Sequence, residues 1–255
     1  MVRTYFDETV CAIKRARNPL LQLSNGRDSL CALLALIEAG CTGFDVAWVD
    51  TGDTDVDTFM RMIDLKFILG DRLHYIKSDS IGIREIYGIP SPMVRPQEAN
   101  PLYGASADDT RHVQMQMDCC ARTIMIPLHE FTVNGGYDLV IRGCRADENL
   151  KTPVEHLTNS DTPYILAYPI YDWSAKRVNE FLIERNALPS FYEFMDSGVD
   201  CVTCPAFWGN GHQAWLERHY PDKAEARKHQ IEKLMDYMSH TIQLGFNELD
   251  KRSVA

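Results

Sequence analysis

The sequence predicts an α/β protein: a parallel, twisted sheet flanked by helices, followed by an irregular, cysteine-containing C-terminal segment. Three observations carry this. Apolar runs of strand length alternate with helix-period segments from residue 20 to residue 76, and that alternation implies parallel pairing through right-handed crossovers. Polar, glycine-containing turns end the first two strands, at the edge where open α/β sheets bind ligands. The 255 residues, 45% of them hydrophobic, suffice for one sizeable core.

Residues 4–17 place Tyr5, Phe6, Val10, Ile13 and Ala16 at helical spacing, a helix ended before Asn18-Pro19. The apolar run 20–23 reads as a buried strand. It leads through Ser24-Asn25-Gly26-Arg27-Asp28-Ser29 into a helix marked by Leu30, Leu33, Leu34 and Ile37, with Gly40 placed to cap it. Residues 44–49 read as a second strand, 56–69 as a helix stopped by Gly70, and 72–76 as a third strand. Pro90, Pro92, Pro96 and Pro101 make 90–104 an irregular excursion. A helix over 112–134 is expected next, ended by Asn134-Gly135-Gly136. Strands at 137–141 and 165–170 bracket a polar loop, a helix covers 174–185, 188–211 is irregular, and a charged helix begins at 221.

The formal net charge of −10 argues against coating nucleic acid by charge alone and leaves a local basic groove open. The charged amino-terminal stretch has no apolar signal core. The most apolar stretch, 30–49, is interrupted by Glu38, Gly40, Gly43 and Asp45, so neither a secretory signal nor a membrane span is expected. The expectation is a cytoplasmic protein whose eight cysteines are metal-binding, catalytic or buried before they are disulfides.

The 24–29 turn has the makings of a phosphate site. Gly26 lets backbone N–H groups approach closely, the following helix adds its positive end, and Ser24, Ser29 and Arg27 add donors. Asp28 can hold magnesium on the phosphates. Alone, the same residues also fit a plain strand–turn–helix junction capped by Asp28 or Ser29. Paired with Asp50-Thr51-Gly52 at the end of the next strand, the turn resembles the PP-loop family of ATP pyrophosphatases. That family's Ser-x-Gly-x-Asp-Ser is matched at Ser24, Gly26, Asp28 and Ser29. The resemblance implies a Rossmann-type, adenine nucleotide alpha hydrolase-like fold. It implies that Ser24, Asn25, Gly26, Arg27, Asp28 and Ser29 grip the pyrophosphate end of ATP, with Asp50, Thr51 and Gly52 close to the nucleotide.

Arg142-Gly143-Cys144-Arg145, followed by Asp147, Glu148 and Lys151, puts two arginines at a strand end, suited to bidentate anion recognition; an ordinary solvated loop would read the same way. This stretch is similar to the Gly-x-Arg-x-x-Glu-Ser segment of phosphoadenylyl sulfate reductases at Gly143, Arg145 and Glu148, with Asn149 replacing the serine. Pro169-Ile170-Tyr171-Asp172-Trp173-Ser174, then Leu188-Pro189 after a helix, resembles the same enzymes.

Cys201-Val202-Thr203-Cys204 alone fits zinc, redox chemistry or an iron–sulfur cluster. The adjacent Cys119-Cys120 is harder to explain by packing, since neighbouring thiols on a helix point about 100° apart. Together the four resemble the Cys-Cys and Cys-x-x-Cys pattern of iron–sulfur adenylyl sulfate reductases, which implies a 4Fe–4S cluster on Cys119, Cys120, Cys201 and Cys204. Pro127-Leu128 extends the resemblance, while Thr123 stands where a lysine is usual. A four-cysteine zinc site is the alternative. Cys11, Cys31, Cys41 and Cys144 read as buried or incidental, the last of them inside the arginine motif.

Two departures shift the reading from reductase to pyrophosphatase. Sulfonucleotide reductases carry a nucleophilic cysteine in a Glu-Cys-Gly-x-His segment, and here no cysteine follows Cys204. The turn also keeps the Asp28-Ser29 pair that reductases often relax. The resemblance then implies ATP with magnesium as substrate, Asp28, Ser29 and Arg145 as catalytic residues, and Arg142 and Gly143 at the nucleotide. The reaction implied is adenylation of an acceptor for sulfur insertion, as in tRNA thiolases and DNA phosphorothioation proteins. The implied partners are a sulfur donor protein such as a cysteine desulfurase and a nucleic-acid substrate reached through other proteins. The alternatives are a reductase of adenylyl sulfate-type nucleotides, with a cysteine from elsewhere, and a non-catalytic nucleotide-binding subunit. On this reading residues 1–210 form the nucleotide-binding domain with the iron–sulfur site, and 211–255 a helical tail.

Overall fold

The computed structural model describes residues 4–24, 26–93, 113–148, 155–158 and 162–252. Asn25, Pro96, Pro101, Asn149 and Lys151 lie outside the described residues.

Helix α1 (Tyr5–Arg15) starts at a capping box in which Thr4 and Asp7 satisfy each other's backbone N–H groups, and it buries Thr9 and Ile13. Strand β1 (Pro19–Leu23) is buried along its whole length, as a central parallel strand covered on both faces must be. Then come α2 (Arg27–Glu38), β2 (Asp45–Asp50), α3 (Val56–Leu69) and β3 (Leu73–Lys77). Helix α4 (Ser80–Tyr87), not anticipated from the pattern, is capped by the Asp79 side chain and stopped at Gly88, whose φ of 96° is open to glycine.

The helix expected over 112–134 is instead divided. Val113–Met115 is a strand, β5, paired in parallel with β4 (Ile89–Ser91) in a separate two-stranded sheet. Pro90 is tolerated there because a two-stranded ladder consists of edges. Helix α5 (Gln116–Cys120) then loosens into a π turn over Ala121–Met125 and resumes as α6 (Ile126–Asn134). Pro127 stands in the first turn of α6 and has no N–H to donate to the turn before it; the π register takes up that mismatch. A three-residue strand leaves no periodic signal against the helix that follows it, so the sequence shows a single helix there.

Strands β6 (Leu139–Ile141) and β7 (Ile165–Ala167) complete a five-stranded parallel sheet in the order β3-β2-β1-β6-β7. The chain winds from β1 outward to β3, then returns to the other side of β1. The switch point therefore lies between β1 and β6, where Leu21 is in register with Ile141. Leu21, Leu33, Leu36, Trp48, Met62 and Ile141 are among the side chains of the main core, each contributing on the order of 1.5–3 kcal/mol by burial.

Helix α7 (Ala175–Glu184), capped by Ser174, leads to a 3₁₀ turn at Ser190–Glu193 and on to α8 (His212–His219) and α9 (Pro221–Arg252). Phe191, Met195, Val199, Val202, Trp215, Leu216 and Ala224 form a second apolar cluster. It packs the start of the tail against the cysteine-containing segment, giving that irregular stretch its own small core. Among the described residues, no helix is long and apolar enough to cross a membrane.

Candidate functional site

The carboxyl ends of β1 and β6 open into a cavity of about 470 Å³. The first βα turn contributes Ser24, Gly26, Arg27, Asp28 and Ser29. Ser29, in the first turn of α2, closes the turn: its hydroxyl accepts from Ser24 N–H at 3.1 Å and stands 2.9 Å from the Ser24 hydroxyl. Across the switch point, a Cβ on Gly143 would overlap the backbone of Asp28 and Ser29, so only glycine lets the β6 loop lie this close. Arg27 N–H donates to the Tyr192 hydroxyl at 3.0 Å, and the Arg27 guanidinium lies over that ring and reaches Asn179.

Arg145 is 6% exposed, and its donors are engaged by carboxylates. It bonds Asp28 through Nε and Asp147 through Nη1, with Glu148 3.8 Å from Nη2. Burial works against its charge, but the Asp28 bond and the fields of Asp28, Asp147 and Glu148 outweigh it and hold its pKa above the usual value. Glu148 is pushed up by burial, and further by Asp28 and Asp147. With Asp196 and Asp200 from the segment after α7, five carboxylates line this cavity against two guanidiniums.

A second cavity of about 210 Å³ adjoins the first and shares Ser24, Ser29, Gly143 and Asp200 with it. Its walls are Leu23, Trp48, Val49, Ile124 and Leu128. Arg142 lines this apolar cavity and not the acidic one, donating from Nε to Gln22 Oε1 at 2.7 Å. The two arginines of the β6 loop are thus divided between the two cavities. Cys144 also lines the second cavity, packed near Tyr168; burial pushes its pKa up to about 11.

Asp50, Thr51 and Gly52 line neither cavity. Asp50 accepts from Gly52 N–H and closes the turn after β2, and Thr51 donates to Asp200 O at 3.1 Å. The next residue, Asp53, is buried and accepts from Thr203 N–H at 3.0 Å, Thr203 Oγ1 at 2.6 Å and Arg84 Nη2 at 3.1 Å. Its carbonyl accepts from Val202 N–H at 2.7 Å. The turn after β2 therefore anchors the Cys-x-x-Cys segment.

That segment is held from behind as well. His212 Nε2 donates to Val202 O at 2.7 Å, and Arg227 donates to Cys204 O at 2.9 Å. Burial, then the Arg227 charge, lowers the His212 pKa to about 4, so the ring is neutral.

Cys119, Cys120, Cys201 and Cys204 are all free; Cys120 lies within electrostatic reach of the other three, and all four lie within reach of Arg84. Burial pushes Cys120 and Cys204 up to about 12 and Cys201 to about 11, so without a metal these three stay protonated. Among the described residues, no three His, Cys, Asp or Glu side chains are grouped at metal-holding separation. The surroundings nonetheless fit an anionic tetrathiolate centre. Arg84 supplies a buried cation beside the thiols, and its Nε is buried without a hydrogen-bond partner among the described residues.

Asp53, Arg84, Tyr192 and the 196–200 stretch went unread in the sequence. Asp53 had a signal: in Asp50-Thr51-Gly52-Asp53-Thr54-Asp55, Asp55 is the helix cap, which leaves Asp53 without a local role.

No family model matches the chain, and no curated protein does. Among solved structures the chain is similar to a phosphoadenylyl-sulfate reductase from Candida auris, determined as a phosphate complex. The TM-score is 0.51 at 13% identity, covering 77% of this chain and 88% of that one. At that identity the likeness is one of fold, a parallel sheet flanked by helices.

Proposed function

We propose that the chain is an ATP pyrophosphatase of the PP-loop type. It adenylates an acceptor for sulfur insertion, with a 4Fe–4S site beside the nucleotide pocket. The observation that carries this reading is the charge of the phosphate-side cavity: five carboxylates against two guanidiniums, with Arg145 already engaged by three of them. A polyphosphate enters such a cavity only with divalent cations, which suits magnesium–ATP and a magnesium-bound pyrophosphate leaving group. The apolar cavity between Trp48 and Leu128 has the character of a nucleobase pocket.

In this reading the base lies in the apolar cavity and the phosphates over Ser24, Gly26, Arg27, Asp28 and Ser29 at the α2 N-terminus. Asp28 holds magnesium. An acceptor oxygen attacks the α-phosphorus, the bond from that phosphorus to the oxygen bridging to the β-phosphorus breaks, and pyrophosphate leaves. A sulfur nucleophile at the sulfide level then displaces AMP, which carries away the acceptor oxygen. Arg145 supplies positive charge as Asp28, Asp147 and Glu148 turn to the metal. A cluster held by Cys119, Cys120, Cys201 and Cys204 would supply a place to hold sulfur close to the pocket. A sulfur donor protein and a nucleic-acid acceptor brought by partners complete the scheme.

The fold likeness favours a second reading, a sulfonucleotide reductase using the same pocket. The discriminating experiment offers the protein ATP, magnesium and sulfide, and separately adenylyl sulfate or phosphoadenylyl sulfate with thioredoxin. AMP and pyrophosphate support the pyrophosphatase. ADP and phosphate overturn it, and sulfite release assigns the reductase. ATP binding with no turnover in the presence of acceptor and donor assigns a non-catalytic subunit.

A further inference from the structure

Helix α4 has no counterpart in the chemistry above, yet it places one charged side chain in the interior. Arg84 is 7% exposed. Its Nη1 donates to Thr203 Oγ1 at 2.8 Å and its Nη2 to Asp53 Oδ2 at 3.1 Å. Asp53 and Thr203 also bond each other, so three segments meet on this guanidinium: the turn after β2, the Cys-x-x-Cys segment and α4. Thr203 lies between Cys201 and Cys204 in sequence, so the contact sits on the thiol site itself.

Two facts remain after those bonds are made. Nε is buried and has no hydrogen-bond partner among the described residues, a deficit of the kind native interiors rarely leave. The charge lies within electrostatic reach of Cys119, Cys201 and Cys204. A buried guanidinium with a spare donor among thiols is short of an acceptor. A metal centre on four thiolates is a net anion whose sulfurs accept hydrogen bonds, and it meets both deficits at once.

We propose that Arg84 is the buried counter-cation of the metal centre. It donates its Nε–H to a sulfur of that centre, held in place by Asp53 and Thr203. The inference rests on the cluster reading above and deepens it. Arg84 is a positioning residue: it ligates nothing and touches no nucleotide. Its charge stabilises the more negative, reduced form of a cluster more than the oxidised form, so it raises the midpoint potential.

The test uses the anaerobically purified chain with iron and sulfide measured, beside Arg84→Lys and the double variant Asp53→Asn Arg84→Gln. The lysine keeps a cation but lacks the Nε donor; the double variant removes the buried pair together and leaves neither partner orphaned. Three readouts are taken: iron retained under a chelator challenge, midpoint potential by electron paramagnetic resonance titration, and circular dichroism for the fold. The expected result is iron and sulfide in the wild type and a chelator half-life shortened about 10-fold or more in the double variant. Its potential shifts to more negative values, Arg84→Lys falls between, and the circular dichroism is unchanged. If the wild type holds iron and Arg84→Lys keeps both its half-life and its potential, the role given to Arg84 is wrong while the cluster stands. If the double variant fails to fold, Arg84→Lys decides alone. A wild type with neither iron nor sulfide overturns the cluster and Arg84's role with it.

Discussion

Arg145 and Arg84 are almost equally buried, and each is held by an aspartate from a βα turn, Asp28 after β1 and Asp53 after β2. Their surroundings differ in sign. Arg145 meets three carboxylates at the edge of an open cavity, so its site carries surplus negative charge. Arg84 meets one carboxylate in a closed interior, keeps a donor unused and borders thiols, so its site has room in its charge balance for an anion. The same ion pair, repeated one strand apart, thus sits in two opposite electrostatic settings, and on the proposed reading one suits a metal-bound nucleotide and the other a metal–thiolate centre. Partner count decides this more than residue type does.

The sharpest way to break the comparison is to remove each aspartate. Asp53→Ala strands Arg84 in a dry site, and loss of about 3–5 kcal/mol is expected in urea unfolding. A loss below 1 kcal/mol would mean that Arg84 is far better hydrated than its burial implies. Asp28→Ala leaves Arg145 with Asp147 and Glu148, so little stability should be lost. Pyrophosphate release should instead fall by about 10²–10³-fold, the effect of removing one preorganised charge. Unchanged release in a phosphate assay would remove Asp28 from the chemistry.

His212 probes the thiol side by pH. Its folded pKa, about 4, lies below the ordinary 6.5, so the unfolded chain binds the extra proton between those values. Stability from this group is complete above pH 6.5 and is lost as pH falls toward 4, by at most about 3 kcal/mol. His212→Gln, which can still donate to the Val202 carbonyl, should flatten the urea midpoint across that window. An equal slope in both proteins would rule His212 out as its source. The smallest effect is at Gly143. An added methyl meets the Asp28 backbone, so Gly143→Ala should cost about 1–3 kcal/mol and weaken ATP binding. Iron retention at the thiols should be untouched, and a parallel loss of iron would show that the two sites are less independent than their geometry suggests.

The turn after β1 was legible because its signal is local: Ser24, Gly26, Asp28 and Ser29 lie within six residues at a strand-to-helix junction, and Ser29 closes the turn on itself. The parallel sheet was legible for a similar reason, since its first three strands alternate with helices of clear period. Asp50-Thr51-Gly52 was legible as a polar turn at a strand end, while its tertiary contacts were not. Its chemistry is that of a ligand turn, but its contacts run to Asp200 and the thiol segment, which return from 150 residues away. Arg84 left no trace in the pattern, because a charged residue on a short helix reads as solvated until the tertiary fold buries it. Val113–Met115 was lost because a strand of three residues cannot outweigh the helical pattern behind it.

The π turn at Ala121–Met125 lies between the thiol pair on α5 and Leu128 on α6. Thr123 within it meets the Cys119 sulfur at 3.9 Å, while Ile124, the next residue, forms part of the apolar cavity wall. One helical stretch therefore faces both sites, and the angle between them is a phase set by residue count. Removing one residue from the π turn would restore ordinary α register and rotate the thiols by about 100° against the wall at Leu128. Made at Ala121 or Met125, such a deletion would part the thiol pair from the cavity wall without altering a cysteine, a lining side chain or a charge.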